Sequence, residues 1–108
     1  MAGKNLQLFI TPRAENSFEL IADYYLTLHS ADRAVKVINS IEDAFDKICN
    51  FPLSYPVCFD VERPASNVRQ IIVHNTFKII YRITKERIEI IEIFHGKRNP
   101  ALIKDIDK

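Results

Sequence analysis

Hydrophobic positions along this chain repeat with two periods, and the change of period divides it. Leu6-Gln7-Leu8-Phe9-Ile10 is a short apolar run that reads as an opening strand. From Thr11-Pro12 the spacing becomes three and four, and Ala14, Phe18, Ile21, Ala22 and Tyr25 fall on one face of a helix. Thr11 suits the N-cap and Pro12 the first helical position, where a missing N–H costs nothing. Glu15 suits the positive end of the helix dipole. This helix ends near His29, and Ser30 can cap a second, whose stripe is Ala34, Val37, Ile38, Ile41, Phe45 and Ile48. Asn50 and Pro52 close it, because proline removes a donor and restricts the residue before it. Two amphipathic helices joined by so short a turn form an antiparallel hairpin.

Leu53 to Asn67, with Pro56 and Pro64 inside it, reads as an irregular connection. From Val68 the period drops to two. Val68–His74, Thr76–Thr84 and Arg87–His95 are rich in Ile, Val, Phe and Tyr, with breaks near Asn75-Thr76 and Lys85-Glu86. Breaks this short permit only tight hairpins, so the three runs form a meander. In its middle strand Phe77, Ile79, Tyr81 and Ile83 share one face, which belongs against the helices. Lys78, Ile80 and Arg82 share the other, a mixed basic face left open or partly covered by the tail. That tail, Ala101 to Lys108, can make a short helix after Pro100, with Leu102, Ile103 and Ile106 able to dock. The predicted fold is α+β with order β-α-α-β-β-β: an antiparallel sheet with an N-terminal helical hairpin on one face, in a single domain over residues 1–108.

Composition changes this picture in three places. A chain of 108 residues buries about two-thirds of its unfolded surface, enough for one core without staples. Cys49 and Cys58 have no CxxC or Cys/His spacing around them and read as reduced thiols, so neither a metal nor another cofactor is expected. The opening MAGKNLQLFI lacks a long apolar segment with a cleavage site, and no apolar run approaches the roughly 20 residues of a membrane span. A cytoplasmic protein with no membrane partner is therefore expected. The net charge of +1 leans mildly against an enzyme that works on nucleic acid, which usually carries a strong basic excess.

Four segments, taken together and in order, resemble the RelE/ParE superfamily of small bacterial toxins. Ala14 through Ile21 to Tyr24-Tyr25 is similar to its helical entry A-x-x-D-L-x-x-I-x-x-Y-Y, with Phe18 where Leu or Asp is usual. Ile48-Cys49-Asn50-Phe51-Pro52 through Pro56 resembles the exit from its second helix. Phe77-Lys78-Ile79-Ile80-Tyr81-Arg82-Ile83 resembles its middle strand Y-R-I-x-Y-x-I. Ile90-Ile91-Glu92-Ile93-Phe94-His95-Gly96-Lys97-Arg98-Asn99-Pro100 resembles its closing I-x-x-I-x-H-x-x-R-D-P. The resemblance covers about residues 5–100. It implies the toxin of a type II toxin–antitoxin system, of the plasmid stabilization kind, with a cognate antitoxin as partner. Homodimerisation is left open.

The superfamily divides between RelE-like toxins, which cut mRNA in the ribosome, and ParE-like toxins, which bind DNA gyrase. Cutting RNA requires proton transfer and stabilisation of charge on phosphate. The RelE pattern places a basic residue in the middle strand, here Lys78, and an arginine after the last strand, here Arg98. Its tyrosine beyond that point is missing, since no Tyr follows Tyr81. His95 could act as acid or base near neutral pH, although a role in fixing the turn or an interface outweighs that. Arg69 stands where the superfamily commonly has an arginine; a phosphate clamp and an ion pair with Glu89 or Glu92 are about equally balanced. Arg82 and Lys97 extend the basic patch and are otherwise solvated charges. Glu92 interrupts an apolar strand and, if buried, requires a partner such as Arg69 or Arg82. Gly96 releases the chain so that Lys97 and Arg98 lie beside the strand ends. The target- or phosphate-binding candidates are thus Arg69, Lys78, Arg82, His95, Lys97 and Arg98. The missing tyrosine, the modest charge and the closing motif favour gyrase. The alternative is the ribosome and mRNA, with Lys78, His95 and Arg98 as the catalytic set.

Overall fold

The computed structural model describes residues 6–57 and 68–95. The elements follow the predicted order: β1 (Gln7–Ile10), α1 (Pro12–Leu28), α2 (Ala31–Asn50), β2 (Val68–Val73), β3 (Phe77–Ile83) and β4 (Arg87–His95). Both helix starts are set by their caps. The Thr11 hydroxyl accepts from the Ala14 amide at 3.2 Å, and Ser30 accepts from the Arg33 amide at 3.1 Å. Each cap satisfies an amide that has no partner within its helix. The α2 stripe buries Ala34, Val37, Ile41, Ala44, Phe45 and Ile48, and α1 buries Ala14, Ser17, Ile21 and Tyr25.

The strands lie in the order β1-β4-β3-β2. β2–β3 and β3–β4 are antiparallel, as the short breaks require. The expectation of an antiparallel sheet throughout is corrected at β1, which pairs parallel with β4 from Gln7↔Arg87 to Ile10↔Ile90. β1 and β4 are separated in sequence by the helical hairpin and two strands, so no tight turn dictates their relative direction.

The first hairpin turn falls one residue earlier than the predicted break. His74 and Asn75 both have positive φ, 54° and 53°, and the Thr76 amide donates to the Val73 carbonyl at 2.9 Å. Positive φ at both central residues makes this a type I′ turn, whose twist matches that of the strands. The second turn is centred on Lys85-Glu86, as expected. There the Thr84 hydroxyl accepts from the Arg87 amide at 3.0 Å. The connection after α2 carries one bridge, Val57↔Arg69, among its described residues.

Between β3 and β4 the register shifts: Ile80 pairs with Glu92, but Tyr81 pairs with Ile90. Ile91 is skipped, as in a β-bulge, which breaks strict alternation and re-aims side chains. Two apolar clusters result. The large one packs Ile71, Val73, Phe77, Ile79, Tyr81, Ile88, Ile90 and Ile93 against both helices. The small one, Val68, Ile80, Ile91 and Phe94, occupies the opposite face. The sequence anticipated Ile80 on that face but not its complete burial.

Asn75 holds a left-handed conformation that costs a β-branched residue about 1–2 kcal/mol. Asn75→Gly is expected to raise the urea midpoint and Asn75→Val to lower it by about that energy. Equal midpoints for the two variants would contradict the turn assignment.

Candidate functional site

α1 is fastened to β4 at the bulge. Glu92 is 3% exposed, and its carboxylate accepts from the Arg13 Nε at 3.0 Å, from the Ser17 hydroxyl and from the Ile93 amide at 2.9 Å. A buried carboxylate requires such donors to offset its lost hydration. The expected partners, Arg69 and Arg82, are corrected to Arg13 and Ser17, because the bulge turns Glu92 toward α1. Ser17 is buried for the same reason. One turn earlier, Thr11 completes the seam: its hydroxyl donates to the carbonyls of Ile90 (2.9 Å) and Ile91 (3.1 Å).

Arg69 is opposite Tyr81 in the register and so shares the helix-side face. Its Nη1 donates to the Tyr55 carbonyl at 2.7 Å, while the Tyr81 hydroxyl donates to the Pro52 carbonyl at 2.6 Å. Together they fix the turn that follows α2. The ion pair expected between Arg69 and Glu89 or Glu92 is therefore corrected, since those carboxylates are held by other residues. Arg69 Nε is buried without a hydrogen-bond partner. Burial raises the Tyr81 phenol to about 12, with Arg69 opposing and Tyr55 adding to the shift. For Cys49, burial and then Asp46 push the thiol up, which disfavours the thiolate that redox or metal chemistry requires.

Lys78 and Arg82 lie on the far face, on either side of the buried Ile80. Arg82 approaches Glu89 at 3.8 Å, and Glu89 also pairs with Arg87 at 2.8 Å. Arg87 in turn lies over the Phe9 ring, 4.2 Å from its centre. His95 is on the helix side, its ring 5.5 Å from Phe77 and 5.8 Å from Tyr24. The fold thus sets Lys78 and Arg82 on one face of the sheet, four residues apart along β3, and Arg69 and His95 on the opposite face. Lys97 and Arg98 lie outside the described residues.

Sequence reasoning missed the surface beside His95. An open groove of about 290 Å³ runs between α1 and the end of β4, lined by Ser17, Leu20, Ile21, Tyr24, Tyr25, Ile93 and His95. Leu20 and Tyr24 remain exposed along its helical wall, and Leu28 is exposed further along α1. Their spacing of four, just off the buried stripe, was the available signal. His74 and His29 have local roles: His74 Nε2 is 2.7 Å from the Ser40 hydroxyl, and His29 packs on Tyr24 and Tyr25. Among the described residues no helix is long and apolar enough to cross a membrane.

Residues 8–100 match the family described as "ParE toxin of type II toxin-antitoxin system, parDE". The chain belongs to the ParE toxin family. It is therefore a type II toxin by family, and its α+β fold is of the RelE/ParE kind. A solved structure titled "Chromosomal ParDE TA system from P. aeruginosa" superposes with a TM-score of 0.70 at 18% identity, covering 86% of this chain and 98% of that one. At that identity the likeness concerns the fold. No curated protein matches the chain.

Two measurements check the seam and the clamp. Glu92→Ala strands the buried Ser17 hydroxyl and the Arg13 contact, and should cost about 2–3 kcal/mol in denaturant unfolding; a loss below ~0.5 kcal/mol would show that the seam contributes little. Because the folded pKa of Tyr81 lies above its unfolded value near 10, its contribution is complete below pH 10 and lost as pH rises toward 12. Tyr81→Phe should flatten the stability–pH curve across that window, and an unchanged slope would exclude Tyr81 as its source.

Proposed function

We propose that this ParE-family toxin acts in the cytoplasm by binding its target, DNA gyrase, and not by cutting RNA. The observation that carries the reading is the separation of the acid–base candidates. Lys78 belongs to the far face of the sheet, whereas His95 packs against Phe77 and Tyr24 on the helix side. General acid–base catalysis requires its groups within hydrogen-bond reach of the same reacting centre. Arg69, the remaining described candidate on the helix side, is engaged with the Tyr55 carbonyl. In this reading Lys78, Arg82, Lys97 and Arg98 act as docking charges for the target, and His95 and Arg69 as positioning groups.

The partner that silences such a toxin is a cognate antitoxin. Its helical or extended segment covers apolar surface and neutralises the basic residues, folding as it binds. The exposed Leu20, Tyr24 and Leu28 provide apolar surface of the required kind.

Expression of the chain alone should slow bacterial growth, and the purified protein should inhibit supercoiling by purified gyrase. Full gyrase activity at saturating toxin, together with transcripts cut in a translating extract and protected by Arg98→Ala, would replace this reading with the ribosome-dependent one.

A further inference from the structure

The sheet has two outer edges, β1 and β2, and the described residues meet them differently. At β2 the chain itself supplies a partner: the Gln70 amide donates to the Pro56 carbonyl at 3.0 Å, and Val57 bridges Arg69. At β1 no described residue does the same. Because the Thr11 amide donates to Ile90 on β4, alternation turns Gln7 and Phe9 toward β4 as well, and Leu8 and Ile10 outward. Each of those two presents an N–H and a C=O away from the sheet, and among the described residues neither group has a partner. Such an edge is a template for another strand, and soluble proteins usually guard it with Lys, Pro or a bulge. The run Gln7–Ile10 contains none of these.

We propose that a second copy of this chain pairs with that edge, the two β1 strands running antiparallel about a two-fold axis at Phe9. The axis follows from the backbone. In this register Leu8 of one copy lies opposite Ile10 of the other, and each such pair exchanges two hydrogen bonds. All the outward groups of both residues are then satisfied. Pairing stops at Pro12, which has no N–H to offer. Two four-stranded sheets become one of eight.

The side chains agree with the register. Leu8 and Ile10 are partly buried against the large cluster, and opposite their counterparts they carry that apolar surface across the junction. Phe9 is 37% exposed on the other face. At the axis it meets its own counterpart as a non-hydrogen-bonded pair, the closest cross-strand position and one that favours two aromatic rings. Charge also favours a like partner. The strand is neutral, so no like charges meet along it. Arg87, which lies over the Phe9 ring, already has Glu89 at 2.8 Å, so the cation beside the axis brings its own carboxylate.

The test uses the full chain with Cys49 and Cys58 changed to Ser. In sedimentation the protein should pass from one-chain to two-chain mass as its concentration rises. Phe9→Lys sets two cations at the axis and should raise the dimer dissociation constant by roughly tenfold, with helix content retained. On mild oxidation Phe9→Cys should link two chains, whereas Gln7→Cys, which meets Thr11 in this register, and Leu20→Cys, exposed on α1, should not. Amide exchange at Leu8 and Ile10 should slow as the dimer forms. A monomer at every concentration with those amides exchanging freely overturns the proposal and leaves the edge to a partner of different sequence. Protection that is independent of concentration overturns it by assigning the edge to the same chain. A dimer that links through Gln7→Cys or Leu20→Cys instead overturns it too, and if Phe9→Lys disturbs the fold, the Phe9→Cys link decides. Neither gyrase nor RNA enters these readouts, so failure of the target assignment and failure of the pairing are separable.

Discussion

The buried carboxylate of Glu92 is the constraint on which the helix–sheet arrangement depends. A carboxylate at 3% exposure persists only with donors around it. Those donors come from two elements: Arg13 and Ser17 on α1, and the Ile93 amide on β4 itself. The bulge that skips Ile91 is what allows Glu92 to face α1 while Ile93 also faces the core. Polar pairing of this kind fixes how α1 lies on the sheet, since sliding it by one turn would strand all three groups. Thr11 enforces the same placement, capping α1 while bonding to the Ile90 and Ile91 carbonyls.

The consequences for function run along α1. With its start held at the bulge, the helix delivers Tyr24 to His95 and leaves Leu20 and Leu28 in solvent. The strand alternation sets His95 and Lys78 on opposite faces of the sheet. On the other side of the sheet the cations are grouped by strand alternation alone. Lys78 and Arg82 flank a buried isoleucine, and Glu89 is shared between Arg82 and Arg87.

The turn after α2 shows how a residue that seemed functional can be explained by the backbone. Arg69 stands where the family commonly has an arginine, a residue type suited to a phosphate or carboxylate clamp. In the fold its guanidinium holds the Tyr55 carbonyl, and Tyr81 holds that of Pro52. Unpaired carbonyls beside a buried phenol would be costly, so these two side chains satisfy an irregular segment that cannot satisfy itself.

Local signals determined most of the architecture. Thr11-Pro12, Ser30 and Pro52 mark helix ends through backbone chemistry that acts within a few residues, and the shift of hydrophobic period marks the meander. The four-segment pattern from Ala14 to Pro100 carried the family. Only tertiary structure decided the parallel pairing of β1 with β4, the bulge, the partners of Glu92 and the groove beside His95. Each depends on contacts between residues some eighty positions apart, as with Thr11 and Ile90, or on a single skipped residue in a strand. Periodicity records which face a side chain prefers. It carries no information about which distant element will meet that face.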